Sequence, residues 1–196
     1  MKKADLIEQL AAENDGILFA HDAYTRGISR ENLRQATVSG KIENIGHGVY
    51  ISKGTLPDDS FILQKKYNTA IFSHETAAYF LGYTTRDPLV YCVTVPSGHN
   101  SKLLSQSNVK VYYSKEIRQE DIAKVITMFG RTVRCFNIEK TICDLCSPRF
   151  NGDKDVALEI IKTYARSDNK DISKLMSYAT TEKIKKTVRG YMEVLL

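Results

Sequence analysis

The run Ile28-Ser29-Arg30-Glu31-Asn32-Leu33-Arg34-Gln35-Ala36-Thr37-Val38-Ser39-Gly40 has few ways to fold. Ser29 suits a helix N-cap, because its hydroxyl can accept a backbone N–H left free in the first turn. Ile28 just before that cap and Leu33 five residues later form the apolar pair of a hydrophobic staple. Leu33 and Ala36 share one face, and Gly40 supplies the left-handed residue that stops a helix. Rotating by about 100° per residue from Leu33 sends Glu31, Arg34, Gln35 and Val38 outward, with Arg30 on the flank. Lys41 to Ile45 and Val49 to Ile51 then read as two short strands around Gly46-His47-Gly48, whose glycines permit the positive φ angles of a tight hairpin.

Upstream, Asp5 to Glu13 places Leu6, Ile7, Leu10 and Ala11 on one stripe, and Asn14-Asp15-Gly16 is a stop signal. Ile17-Leu18-Phe19 is too short for a helix and suits a strand, and His21 to Thr25 forms a short helix ended by Gly27. Helix, strand, helix, capped helix and hairpin in that order predict a winged helix-turn-helix over residues 1–52. The polar, turn-rich stretch 52–60 reads as a linker. Residues 60–196 predict a second, mixed α/β domain: helices at Phe61–Tyr67, His74–Leu81 and Ile138–Cys146, strands at Leu89–Val95, Val109–Tyr113 and Thr132–Phe136, and helical segments at Asp153–Arg166 and Ile172–Leu196. The fold class expected is therefore α+β.

In a helix-turn-helix the second helix enters the major groove and presents its N-terminal residues to base edges. Arg34 and Gln35 carry the forks that match guanine and adenine. Ser29 at the cap, Arg26, Arg30 and Lys41 are candidates for phosphate, and His47 at the wing tip reaches for the neighbouring minor groove or its backbone. The charge map complicates this reading. Of 28 Lys/Arg and 23 Asp/Glu in the chain, residues 1–51 hold 6 and 7, so the positive excess behind the net +5 lies outside the winged helix. The account in favour of DNA assigns Asp5, Glu8, Glu13 and Asp15 to the first helix, away from the groove. The alternative is a winged helix used for protein contacts, with Arg30 and Arg34 as solvated surface and Glu31 repelling phosphate.

Other chemistry is expected to be absent. No apolar run reaches the roughly 20 residues of a membrane span, and Glu8, Gln9 and Glu13 interrupt any signal-peptide pattern, so a cytoplasmic protein is expected. Cys92, Cys135, Cys143 and Cys146 read as reduced thiols. One Cys143-x-x-Cys146 spacing beside Ile142 and Leu145 fits small buried side chains better than zinc. The adjacent Glu139 and Lys140 lack nuclease spacing, and Asp144 is placed to pair with Lys140 on one helix face. His74-Glu75 lacks a second histidine at metalloprotease spacing. We expect no catalytic residues, metal or cofactor.

Gly27-Ile28-Ser29-Arg30 through Gly40-Lys41-Ile42-Glu43, with Ile45-Gly46-His47-Gly48-Val49-Tyr50, resembles the N-terminal domain of the AbiEi family of antitoxins. The likeness continues through Ser73-His74-Glu75-Thr76-Ala77-Ala78-Tyr79-Phe80-Leu81-Gly82, Val93-Thr94-Val95-Pro96 and Glu139-Lys140-Thr141-Ile142-Cys143-Asp144-Leu145. The resemblance implies a type IV toxin-antitoxin system for abortive phage infection, encoded beside a nucleotidyltransferase-like toxin. It implies an N-terminal domain that represses its own operon at inverted repeats in the promoter. It further implies a C-terminal domain that counteracts the toxin without requiring a stable complex. Lys65, Lys66, Lys102, Lys110, Arg131 and Arg134 would add phosphate contacts to that second domain. His47 stands where the family leads us to expect arginine, which weakens the wing's expected phosphate contact. A monomer that assembles cooperatively on repeated half-sites is expected.

Overall fold

A computed structural model describes residues 3–104 and 108–195. It divides into two compact units, 1–62 and 63–196. The expected terminal residue of the last helix, Leu196, lies outside the described residues.

The first unit opens with α1 (Lys3–Ala12), β1 (Ile17–Phe19), α2 (Ala20–Thr25) and α3 (Arg30–Val38). It continues through β2 (Ile42–Gly46) and β3 (Val49–Ser52), and the next helix, α4 (Asp59–Lys66), crosses the division between the units. The strands form an antiparallel sheet in the order β1-β3-β2. This is the winged-helix arrangement, with the helices packed over a small core. Ile7, Leu10 and Ala11 of α1 are buried as one stripe, alongside Ile28, Leu33, Ala36 and Ile42. Ile28 and Leu33 are 1% and 0% exposed, as the staple requires.

Local chemistry sets the boundaries of α3. Ser29 Oγ accepts from the Asn32 N–H at 3.1 Å, and Asn32 Oδ1 accepts from the Ser29 N–H at 3.0 Å, a reciprocal cap. At the other end Gly40 adopts φ 72°, the Lys41 N–H reaches the Ala36 carbonyl and the Gly40 N–H reaches Thr37. That pairing is a Schellman stop, and Gly27 at φ 73° closes α2 in the same way, with the Ile28 N–H on Ala23 and its own N–H on Tyr24. The stop at Gly27 and the cap at Ser29 fix the short turn that aims α3, and Gly40 sets its far end.

The stretch 52–60 is less free than a linker. Thr55 packs so closely on Gly16 that a Cβ there would meet Thr55 Oγ1 at 2.1 Å. Asp58 is buried, and its Oδ1 accepts from Ser60 Oγ at 2.6 Å and from the Phe61 N–H at 3.0 Å, which starts α4.

The second unit holds β4 (Ile71–Phe72), α5 (His74–Phe80), β5 (Tyr91–Pro96), β6 (Val109–Ser114), β7 (Ile122–Ile126) and β8 (Thr132–Phe136). Four helices follow: α6 (Ile138–Leu145), α7 (Lys154–Arg166), α8 (Ile172–Tyr178) and α9 (Glu182–Leu195). The sheet is mixed and five-stranded, in the order β6-β5-β4-β8-β7, with β4 parallel to β8 and β5 parallel to β6. Sequence periodicity did not reveal β4 or β7. β4 has two residues, yet it sits at the centre of the sheet with Phe72 fully buried. The expected helix over 172–196 is interrupted between Tyr178 and Glu182, where Ala179 leaves helical geometry at ψ 76°. Apolar faces of α5 to α9 meet in a core around Ile142, Ile160, Tyr164, Leu175 and Val188.

Candidate nucleic-acid interface

Every residue assigned to DNA from sequence, namely Arg26, Ser29, Arg30, Arg34, Gln35, Lys41 and His47, is exposed. They divide into three groups by what surrounds them.

Glu31, Arg34, Gln35 and Val38 occupy one outward stripe of α3. Arg34 donates from Nε to Glu31 Oε2 at 2.8 Å and from Nη2 to Glu31 Oε1 at 2.7 Å. Gln35 Nε2 donates to the same Oε1 at 3.2 Å. One carboxylate therefore gathers both side chains expected to meet bases. The Arg34 hydrogen bond holds the Glu31 carboxyl below its ordinary range, and Glu31 in turn raises the Arg34 guanidinium. Val38, 76% exposed, adds an apolar end of the kind that meets a thymine methyl.

The flanking cations are held differently. Arg30 has no ion pair among the described residues. Arg26 Nη2 lies 3.8 Å from Glu13 Oε2, and Lys41 Nζ lies 2.5 Å from Glu8 Oε1. The expectation that these acids stand away from the cationic face is thus corrected: α1 packs against both α2 and α3, so Glu8 of α1 reaches Lys41 past the end of α3, and Glu13, just beyond α1, reaches Arg26 at the end of α2. Such exposed pairs contribute little to stability, so a phosphate can displace them. The Ser29 hydroxyl donates to Asn32 Oδ1 at 2.8 Å, so its proton is engaged within the cap.

The wing is a two-residue hairpin. Gly46 pairs with Val49, leaving His47 and Gly48 as the loop at φ 50° and 73°, the two positive angles of a type I′ turn. Ile45 bulges out between Asn44 and Gly46, and the Gly46 N–H donates to Asn44 Oδ1 at 2.8 Å. A histidine in the left-handed region is strained, and it stands exposed at the tip.

In the second unit Arg131, Arg134 and Lys110 are engaged within the chain. Arg131 is 5% exposed, Arg134 Nη2 donates to the Asn68 carbonyl, and Lys110 Nζ donates to the Asn151 carbonyl. Lys65, Lys66 and Lys102 are exposed. The other polar residues singled out from sequence are structural. Lys140 pairs with Asp144 across one helical turn, and Glu139 is buried between Lys174 Nζ and Tyr164 Oη, each at 3.4 Å. His74 is buried and stacked on Tyr112 with centroids 3.7 Å apart. Burial, then the ammonium groups of Lys140 and Lys110, push its imidazole down to about 3. Cys143 is buried with Sγ 3.4 Å from the Leu175 carbonyl. Among the described residues no cluster of three His, Cys, Asp or Glu is placed to hold a metal, and no helix is long and apolar enough to cross a membrane.

These features define an α+β protein whose N-terminal unit is winged-helix-like, followed by a mixed sheet and C-terminal helices. A solved structure shares this fold: the crystal structure of the RV2827C protein from Mycobacterium tuberculosis matches with a TM-score of 0.65 at 14% identity, over 96% of this chain and 75% of that one. At that identity the likeness concerns the fold alone. No protein-family model and no curated protein matches the chain.

Proposed function

We propose that this protein is a sequence-specific duplex-DNA-binding repressor of the AbiEi type, an antitoxin that represses its own operon and has no enzymatic activity. The observation that carries the reading is the outward stripe of α3. Arg34 and Gln35 project from a helix whose two ends are both fixed, beside Arg30 and a strained wing tip at His47. In this reading α3 lies in the major groove of inverted repeats in the promoter, Arg26, Arg30 and Lys41 meet phosphates, and His47 touches the backbone beside the groove. The second unit counteracts a nucleotidyltransferase-like toxin functionally, without a lasting complex, and monomers assemble cooperatively on the repeats.

The test is fluorescence anisotropy of the full chain on a duplex from the region upstream of its gene, repeated across salt concentrations. Three phosphate contacts per winged helix give a slope of log K against log salt of roughly −3. Arg34→Ala with Gln35→Ala removes the preference for that duplex over a scrambled one. Equal binding to both duplexes by the wild type overturns the reading. A second reading, a protein-interaction module acting on a toxin with little DNA binding, is favoured by the ion pairs that Glu8, Glu13 and Glu31 make with the cations of this face. A salt-independent or absent signal, together with toxin suppression on co-expression, supports it.

A further inference from the structure

We infer that Glu31 determines which base α3 reads, by turning one edge of the Arg34 guanidinium toward a guanine. This rests on the DNA-reading role proposed above and names its ligand more closely, as a duplex with a G·C pair facing Arg34. A guanidinium has five N–H donors and two forked edges. Glu31 takes the side edge, formed by Nε and Nη2, at 2.8 and 2.7 Å. Glu31 leaves the end edge, formed by Nη1 and the second hydrogen of Nη2, unused on a side chain that is 65% exposed. That edge can donate to O6 and N7 of guanine together, and with the side edge occupied it is the fork that remains for a base.

The other bases fit it poorly. Adenine offers N7 but sets an amino donor where guanine has O6, cytosine offers a donor, and thymine offers one acceptor and a methyl group. Glu31 accepts from Arg34 twice and from Gln35 Nε2 at 3.2 Å, so its carboxylate is already well engaged by protein donors. A glutamate on the stripe facing DNA repels phosphate, which is a disadvantage for binding duplex in general. Holding Arg34 in one pose offsets that disadvantage with selectivity, because less side-chain freedom is lost when guanine binds. Glu31 is thus a positioning residue, acting through Arg34.

Two properties should therefore move in opposite directions. The experiment selects from a pool of random duplexes with the full chain and sequences the bound fraction, for wild type, Glu31→Ala, Arg34→Ala and Arg34→Lys. A non-specific duplex titrated by anisotropy gives general affinity. Wild type should enrich a motif with a fixed guanine. Arg34→Ala should abolish that preference, and Arg34→Lys should not restore it. Glu31→Ala should lower the guanine preference by roughly tenfold while tightening binding to the non-specific duplex. A purely structural role for Glu31 would weaken both together. Both side chains are more than half exposed, at 55% and 65%, so neither truncation opens the core, and a thermal melt of each variant checks the fold. Unchanged guanine preference in Glu31→Ala, or parallel loss of both affinities, overturns the inference. Enrichment of a motif indifferent to Arg34 overturns it while leaving DNA reading intact. Enrichment of no motif by wild type overturns both.

Discussion

Glu8 on α1 holds Lys41, the residue just past the glycine stop of α3, with Oε1 2.5 Å from Nζ. The pair spans 33 positions of sequence and shields a cation that the proposed interface needs. Breaking it should release that cation. Glu8→Gln should tighten binding to any duplex severalfold, because phosphate no longer competes with a carboxylate for Lys41, and should leave the slope near the wild-type value of roughly −3, since Lys41 is already among the three phosphate contacts. Anisotropy across a salt series reads both. Unchanged affinity would mean that Lys41 does not meet phosphate.

At the wing, function and stability should part company. His47 holds φ 50° in a turn where glycine is unstrained. His47→Gly should stabilise the first unit by about 1 kcal/mol and weaken duplex binding. A thermal melt paired with a gel shift separates the effects, and a variant both more stable and equally tight on DNA would remove the wing tip from the interface.

Acid should destabilise the second unit through His74. Its imidazole is pushed from 6.5 down to about 3, so between those values the unfolded chain binds a proton that the folded chain does not. Stability from this group is complete above about 6.5, is lost as pH falls toward about 3, and is flat below that. The loss is on the order of a few kcal/mol. His74→Phe keeps a ring beside Tyr112 and removes the titration. Urea unfolding at a series of pH values should show a shallower acid slope in the variant, and identical slopes would contradict this account.

The thiols of Cys92, Cys135, Cys143 and Cys146 are each pushed up to about 12, with burial as the largest cause. A thiol-reactive chromophore at neutral pH should react slowly with the native chain and with four groups after denaturation. Fast native labelling, or fewer than four groups after denaturation in the absence of reductant, would contradict it.

The winged helix was legible because its signals are local. Ser29, the Ile28 and Leu33 staple, and the stops at Gly27 and Gly40 all act within a few residues, and each appears where the sequence placed it. Signals that depend on distant neighbours were not legible. Ile71 and Phe72 form a central strand only because β5 and β8 flank them, and two residues show no period. The same holds for the interface. Nothing local tells that Glu8 and Glu13 lean on Lys41 and Arg26, or that Arg134 serves the Asn68 carbonyl. Glu31 lay in plain view on the outward stripe, three residues before Arg34, where a glutamate and an arginine are within reach on one helix face.

Amide chemical shifts of the full chain, recorded while duplex from its own upstream region is added, test the account most directly. Resonances of residues 29–38 and of the wing tip at 46–48 should shift together and saturably, and higher salt should reverse the change. Shifts confined to residues 63–196, or none anywhere, would contradict it.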